Sequence, residues 1–255
     1  MKKLFLYNNI NFKKMIDGKD ILNNQKIDVF KNWVKFLAKL KKEKKILLIF
    51  ISGESNTGKS TWGIELCKRF GIRNLIHTDI LREFVRSNKK KKLKDPIHLS
   101  SYKVYRAYDN KFSKKNFKKG FFNQCKQIDK VLYPLVKHSS NYGKVTLVEG
   151  INLLPSLIKQ NYKSQYFINF HITQTDNENK KGMEKDRYEY NYLNRNLKKY
   201  VSFKKQLKFL KTILVEDALE SKSKIIYSNE AKKMLFDFIN TINFFLEKKN
   251  KKINN

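Results

Sequence analysis

The chain has 255 residues, 40% of them hydrophobic and only three of them proline, so it can bury a sizeable core and is not a disordered polyelectrolyte. Its 56 Lys and Arg against 23 Asp and Glu leave a formal net charge of +33. That charge leaves two readings open: a surface for polyanions such as nucleic acid, or the by-product of a Lys-, Asn-, Ile-, Tyr- and Phe-rich composition of the kind AT-rich coding produces.

The N-terminus MKKLFLYNNINFKK has a basic start, but its apolar stretch is too short for a signal peptide. Residues 26–43 carry Ile27, Phe30, Val34, Leu37 and Leu40 at helical spacing, which predicts a helical N-terminal extension over 1–44 ahead of the main domain. Ile46 to Ser52 is a continuous apolar run of strand length, the pattern of a central parallel strand covered on both faces. It is also the longest apolar run in the chain, far below the roughly 18 residues needed to cross a bilayer. A soluble, cytoplasmic protein without a membrane partner is expected.

GESNTGKST follows that strand. The spacing of Gly53, Gly58, Lys59 and Ser60 fits G-x-x-x-x-G-K-[ST], with an apolar strand before it and an amphipathic helix from Lys59 to Phe70 after it. Glycines let successive amide groups turn inward around phosphate, and the helix N-terminus adds its partial positive charge. Glu54, Ser55, Asn56, Thr57 and Thr61 complete the cradle. Lys59 is predicted to reach the β- and γ-phosphates of ATP, and the Ser60 hydroxyl to ligate Mg²⁺. No N-K-x-D base-specificity motif accompanies the loop, which argues against a GTPase.

A second strand, Asn74–Thr78, leads into Asp79, read as the N-cap of a helix DILREFVRS that carries Arg82 and Arg86 on nearly one face. A carboxylate beside two guanidiniums suits an acceptor bearing both a hydroxyl and an anionic group. After the lysine-rich connector broken at Pro96, His98, Ser101 and Tyr102 form a polar cluster. A helix is predicted over about Phe121 to Lys137, with Pro134 in its last turn. A third strand, Lys144 to Val148, then ends in Glu149 and Gly150, placing an acidic residue where a P-loop protein holds Mg²⁺.

A fourth strand over Gln165 to Ile172, a polar segment over 174–190, a long amphipathic helical region over about 191–221, a fifth strand over Lys224 to Tyr227 and a final helix from Glu230 to Lys248 follow. Residues 249–255 read as a disordered basic tail, and 45–248 as the main domain. Cys67 and Cys125 are expected to be core thiols, since no metal-ligand or disulfide spacing surrounds them. Five strands separated by helices predict an α/β three-layer fold with a mainly parallel sheet and its active edge at the carboxyl ends.

Together, GESNTGKST, GIRNLIHTDILREFVRS, HLSSYKVYR, GFFNQCKQI and TLVEGINLLPSLI resemble, in order from about Lys45 to Asn229, the archaeal 2-phosphoglycerate kinase family of P-loop kinases. The resemblance implies a P-loop kinase fold with a helical lid and transfer of the γ-phosphoryl of ATP to 2-phosphoglycerate, a small phosphorylated acid. It implies Lys59 and Ser60 for ATP and Mg²⁺, Asp79 and Arg82 for the acceptor, His98, Ser101 and Tyr102 lining its pocket, and Glu149 at the metal. Asn152 stands where the family shows histidine, and the lid segment DNENKKGMEKDR keeps Arg187 but places Lys180 and Met183 at other family positions. Two further readings stay open. YKVYRAYDNKF and the lysine run at 89–92 fit a nucleic-acid kinase, and the departures at Asn152 and Met183 fit a non-catalytic nucleotide-binding protein.

Overall fold

The computed structural model describes residues 23–90, 94–142, 145–175 and 202–247. Its elements are α1 (Asn23–Glu43), β1 (Leu47–Gly53), α2 (Lys59–Phe70), β2 (Asn74–His77), α3 (Thr78–Ser87), α4 (Lys114–Tyr142), β3 (Val145–Gly150), α5 (Pro155–Asn161), β4 (Tyr166–Thr173), α6 (Lys204–Glu220), β5 (Lys224–Tyr227) and α7 (Ala231–Glu247). Two 3₁₀ turns, Pro96–His98 and Ser101–Ala107, lie between α3 and α4.

The sheet has five strands in the order β2-β3-β1-β4-β5, and every pairing is parallel. β1 shows why the layers form. All seven of its residues are buried, and its side chains alternate between faces as strand geometry demands. Leu47, Ile49 and Ile51 enter one apolar cluster with Trp33, Phe36 and Leu40 of α1, Leu66 and Phe70 of α2, and Phe238 and Ile242 of α7. Leu48 and Phe50 enter another with Leu81 and Val85 of α3, Ile128 and Leu132 of α4, and Ile158 of α5. The result is the predicted three-layer α/β fold, with a five-stranded, all-parallel sheet between the helical layers. A third cluster joins α4, the second 3₁₀ turn, the N-cap of α5, and α6, through Phe117, Phe121, Val104, Leu154 and Leu210.

Several local expectations are corrected. α4 begins seven residues before the predicted Phe121, because Ser113 caps it: the Asn116 amide donates to Ser113 Oγ at 3.1 Å. Pro134 therefore lies inside this helix, two turns before its end, and not in its last turn. β2 stops at His77 and α3 already includes Thr78, so the N-cap position is His77 and Asp79 sits inside the first turn. α5 was not predicted. Pro155 occupies its first turn, and the Asp217 carboxylate of α6 accepts the Ser156 amide at 2.9 Å, a cap supplied from 61 residues away.

Cys125 is buried and Cys67 half-buried, both as free thiols; burial pushes Cys67 up to about 11 and raises Cys125 further, so both are inert at neutral pH. Among the described residues no helix is long and apolar enough to cross a membrane.

Candidate active site at the carboxyl ends of β1, β2 and β3

Parallel register brings the three strand ends together. Ser52 of β1 pairs with Gly150 of β3, and Glu149 of β3 lies opposite Ile51 on one side and His77 of β2 on the other. The loop after β1 and the helix after β2 therefore lie side by side at the carboxyl edge of the sheet, the usual ligand position of an open parallel sheet.

The phosphate-type loop takes the backbone its sequence demands. Gly53 has φ of 144° and passes so close to β4 that a Cβ there would meet the Ile172 carbonyl at 2.0 Å; Asn56 and Gly58 also have positive φ, 65° and 81°. Thr57 Oγ1 donates to the Glu54 carbonyl at 3.0 Å. Ser55 is half-buried, while Ser60 and Thr61 are exposed on the first turn of α2, whose leading amides have no partner within the helix.

Lys59 is 8% exposed. Its ammonium donates to the Glu54 carbonyl, and no carboxylate lies within ion-pairing distance of it among the described residues. Burial pushes its pKa down, opposed by the charges of Glu149, Glu54 and Asp79. A buried ammonium satisfied only by one carbonyl is an anion site in waiting.

Beside it, Ser60 Oγ donates to Glu149 Oε1 at 3.0 Å, and His77 Nδ1 lies 2.5 Å from the same oxygen. The predicted metal pair, Ser60 and Glu149, is thus in direct contact. No group of three or more His, Cys, Asp or Glu suited to a metal occurs among the described residues. One hydroxyl and one carboxylate suit Mg²⁺, which keeps waters and is shared with substrate phosphates, better than a cation needing a full protein cage.

At the start of α3, Asp79 is exposed and lies 3.7 Å from Arg82, whose other neighbours are Glu83 at 3.6 Å and Ser101 Oγ at 3.4 Å. Arg86 binds both oxygens of Glu83, at 2.7 and 2.8 Å, and the carbonyl of His98 at 3.2 Å. His98 and Ser101 are thereby tied to α3 by its two arginines. The Tyr102 ring packs against Phe203 at 5.1 Å. Arg187, Lys180 and Met183 lie outside the described residues.

Three site residues, His77, Gln174 and Gln124, carried no sequence signal. His77 reaches Glu149 only through strand register. Glu54 is buried, and desolvation raises its pKa against the hydrogen bonds it accepts from Thr173 Oγ1, 2.8 Å, and the Gln174 amide, 3.0 Å. The Gln174 side chain also donates to the Asn56 carbonyl, so the end of β4 grips the loop at two points. Gln124 is fully buried and donates to the carbonyls of Pro96 and Leu99, both at 2.8 Å, while its own carbonyl accepts from Ser101 Oγ and Asn152 Nδ2, both at 2.9 Å. Asn152 thus enters a buried polar network. Thr78 Oγ1, Arg82 Nε, His98 Nε2 and Asn152 Oδ1 are buried without hydrogen-bond partners among the described residues.

No family profile matches the chain. Curated relatives do. The chain is 28% identical over 185 residues to a protein of Methanopyrus kandleri named 2-phosphoglycerate kinase, covering 71% of this chain and 56% of that one. Proteins of the same name from Thermococcus kodakarensis and Pyrococcus furiosus align at 32% over 124 residues and 26% over 200, covering 49% and 78% of this chain and 43% and 65% of theirs. The chain therefore spans less than two thirds of the length of these relatives. A solved structure of an uncharacterized protein from Eubacterium ventriosum overlaps 77% of the chain and 99% of its own at a TM-score of 0.38 and 13% identity. The resemblance carried by the motifs is supported: the chain is a homologue of archaeal proteins named 2-phosphoglycerate kinase.

Proposed function

We propose that the chain is an ATP-dependent kinase that phosphorylates the hydroxyl of a small phosphorylated acid, 2-phosphoglycerate, to give 2,3-bisphosphoglycerate. The observation that carries the reading is the buried Lys59 ammonium, without a carboxylate partner among the described residues, beside the 3.0 Å contact of Ser60 with Glu149. The names of the relatives support the choice of acceptor.

The residues present fit ATP and Mg²⁺. The loop 53–58 and Lys59 would hold the phosphates, and Ser60 and Glu149 the cation. Mg-ATP, when bound, supplies the phosphoryl group and neutralises charge on its oxygens. The chain supplies placement. Lys59 exchanges the Glu54 carbonyl for phosphate, which removes a buried cation's electrostatic penalty only when the anion is present. His77 holds the Glu149 carboxylate in place through Nδ1. Asp79, at the start of α3, orients the acceptor hydroxyl and accepts its proton late, and Arg82, one turn on, faces the acceptor's anionic group.

Incubation with Mg-ATP and 2-phosphoglycerate should give bisphosphoglycerate, detected by ³¹P NMR. Absence of product above a Lys59→Ala control would sink the reading.

A further inference from the structure

The acceptor side of the site contains a buried amide whose orientation leaves no freedom. Gln124, on α4, has no solvent exposure and four hydrogen-bond partners from two other segments. Its Nε2 group meets only acceptors, the carbonyls of Pro96 and Leu99. Its Oε1 meets only groups able to donate, the Ser101 hydroxyl and the Asn152 amide. A flipped amide would set Nε2 against Asn152 Nδ2 and Oε1 against two carbonyls, so the partners fix one orientation.

That orientation dictates the next bond. Ser101 has one hydroxyl hydrogen, and Gln124 Oε1 takes it at 2.9 Å. The serine oxygen is left to act as an acceptor, and Arg82 Nη1 donates to it at 3.4 Å. The same amide pins the carbonyls on either side of His98, while Arg86 holds the carbonyl of His98 itself. Arg82 keeps a buried Nε with no partner among the described residues. A guanidinium held at one end with a free N–H at the other is arranged to receive an oxyanion.

We propose that Gln124 is a positioning residue for the acceptor: it fixes the Ser101 hydroxyl as an acceptor, which sets Arg82 with its Nε–H turned toward the acceptor's anionic group. Asn152 is the second donor that keeps the Gln124 carbonyl in place. The inference rests on the reading of Arg82 and Ser101 as acceptor-pocket residues. It adds a residue that touches neither nucleotide nor acceptor.

The test uses Gln124→Met, which keeps length without polar groups, Ser101→Ala, and the double variant. With 2-phosphoglycerate as acceptor, each single change should raise its KM about ten- to a hundredfold while KM for ATP stays within about twofold. The double variant should be no worse than Gln124→Met, because both remove one relay. The ¹H–¹⁵N resonance of Arg82 Nε, assigned with Arg82→Lys, should move in both variants. Equal rises in both KM values, additive losses, or an unmoved Arg82 resonance would overturn the proposal. If Gln124→Met does not fold, Ser101→Ala alone decides, since it leaves the Gln124 anchors to Pro96 and Leu99 intact. Failure of the wild type to turn over 2-phosphoglycerate would remove the proposed function, while the Arg82 resonance would still decide whether Gln124 positions that guanidinium.

Discussion

Two glycines in helices should respond to the same substitution with opposite signs. Gly→Ala inside a helix is worth up to about 1 kcal/mol from propensity alone. At Gly120 in α4, however, a Cβ would lie 2.5 Å from the Val104 carbonyl oxygen and 2.8 Å from its carbon, about 0.9 Å short of ordinary contact. Backbone must give way there. Overpacking of this kind costs about 1–3 kcal/mol, so Gly120→Ala should destabilise by about 1–2 kcal/mol net, or roughly 3–6 °C in Tm for a chain of this size. At Gly63 in α2 the nearest atoms to a Cβ are Leu147 Cδ2 at 3.5 Å and Glu149 Cγ at 3.7 Å, normal packing distances. Gly63→Ala should therefore stabilise by about 0.5–1 kcal/mol. Urea midpoints at constant m-value measure both. Because Val104 belongs to the 3₁₀ turn that carries Ser101 and Tyr102, the displaced backbone should also raise KM for the acceptor. Stabilisation by both substitutions would refute the close approach of α4 to that turn.

Lys59→Met should separate binding from stability. It should weaken ATP affinity by about a hundredfold, yet leave the urea midpoint unchanged or higher at pH 7. Burial lowers the folded-state pKa of Lys59 below the ordinary lysine value, so the charged form is a penalty to folding throughout the range below it. His171 predicts an acid-sensitive core. Buried on β4 with Nδ1 3.0 Å from Ser52 Oγ, its pKa is pushed down to about 4 by desolvation, helped by the Lys59 charge. The unfolded chain binds a proton near the ordinary value of about 6.5 and the folded chain does not. Stability should fall as pH drops from about 6.5 to 4, by at most about 3 kcal/mol from this residue, and His171→Asn should flatten that slope in urea titrations at pH 7, 5.5 and 4.5.

The sequence by itself determined what short-range constraint can encode. Gly53, Gly58, Lys59 and Ser60 specify a loop within eight residues, and the apolar runs before the loop and before Glu149 specify buried parallel strands. Hence the fold class and the backbone course of the glycine-rich loop were legible in the letters. The helix ends were less so, because Ser113 and Asp217 act as caps through bonds that hydrophobic spacing does not reveal. Only tertiary structure decided the rest. His77 meets Glu149 across 72 residues, Gln174 grips the loop across 118, and Gln124 joins Ser101, Asn152 and two carbonyls across 23 to 28. A histidine or glutamine in a sequence has no periodicity or motif to mark it. Its role comes from what the folded chain brings within about 3 Å, since a buried polar group must find its partners there or forfeit its solvation.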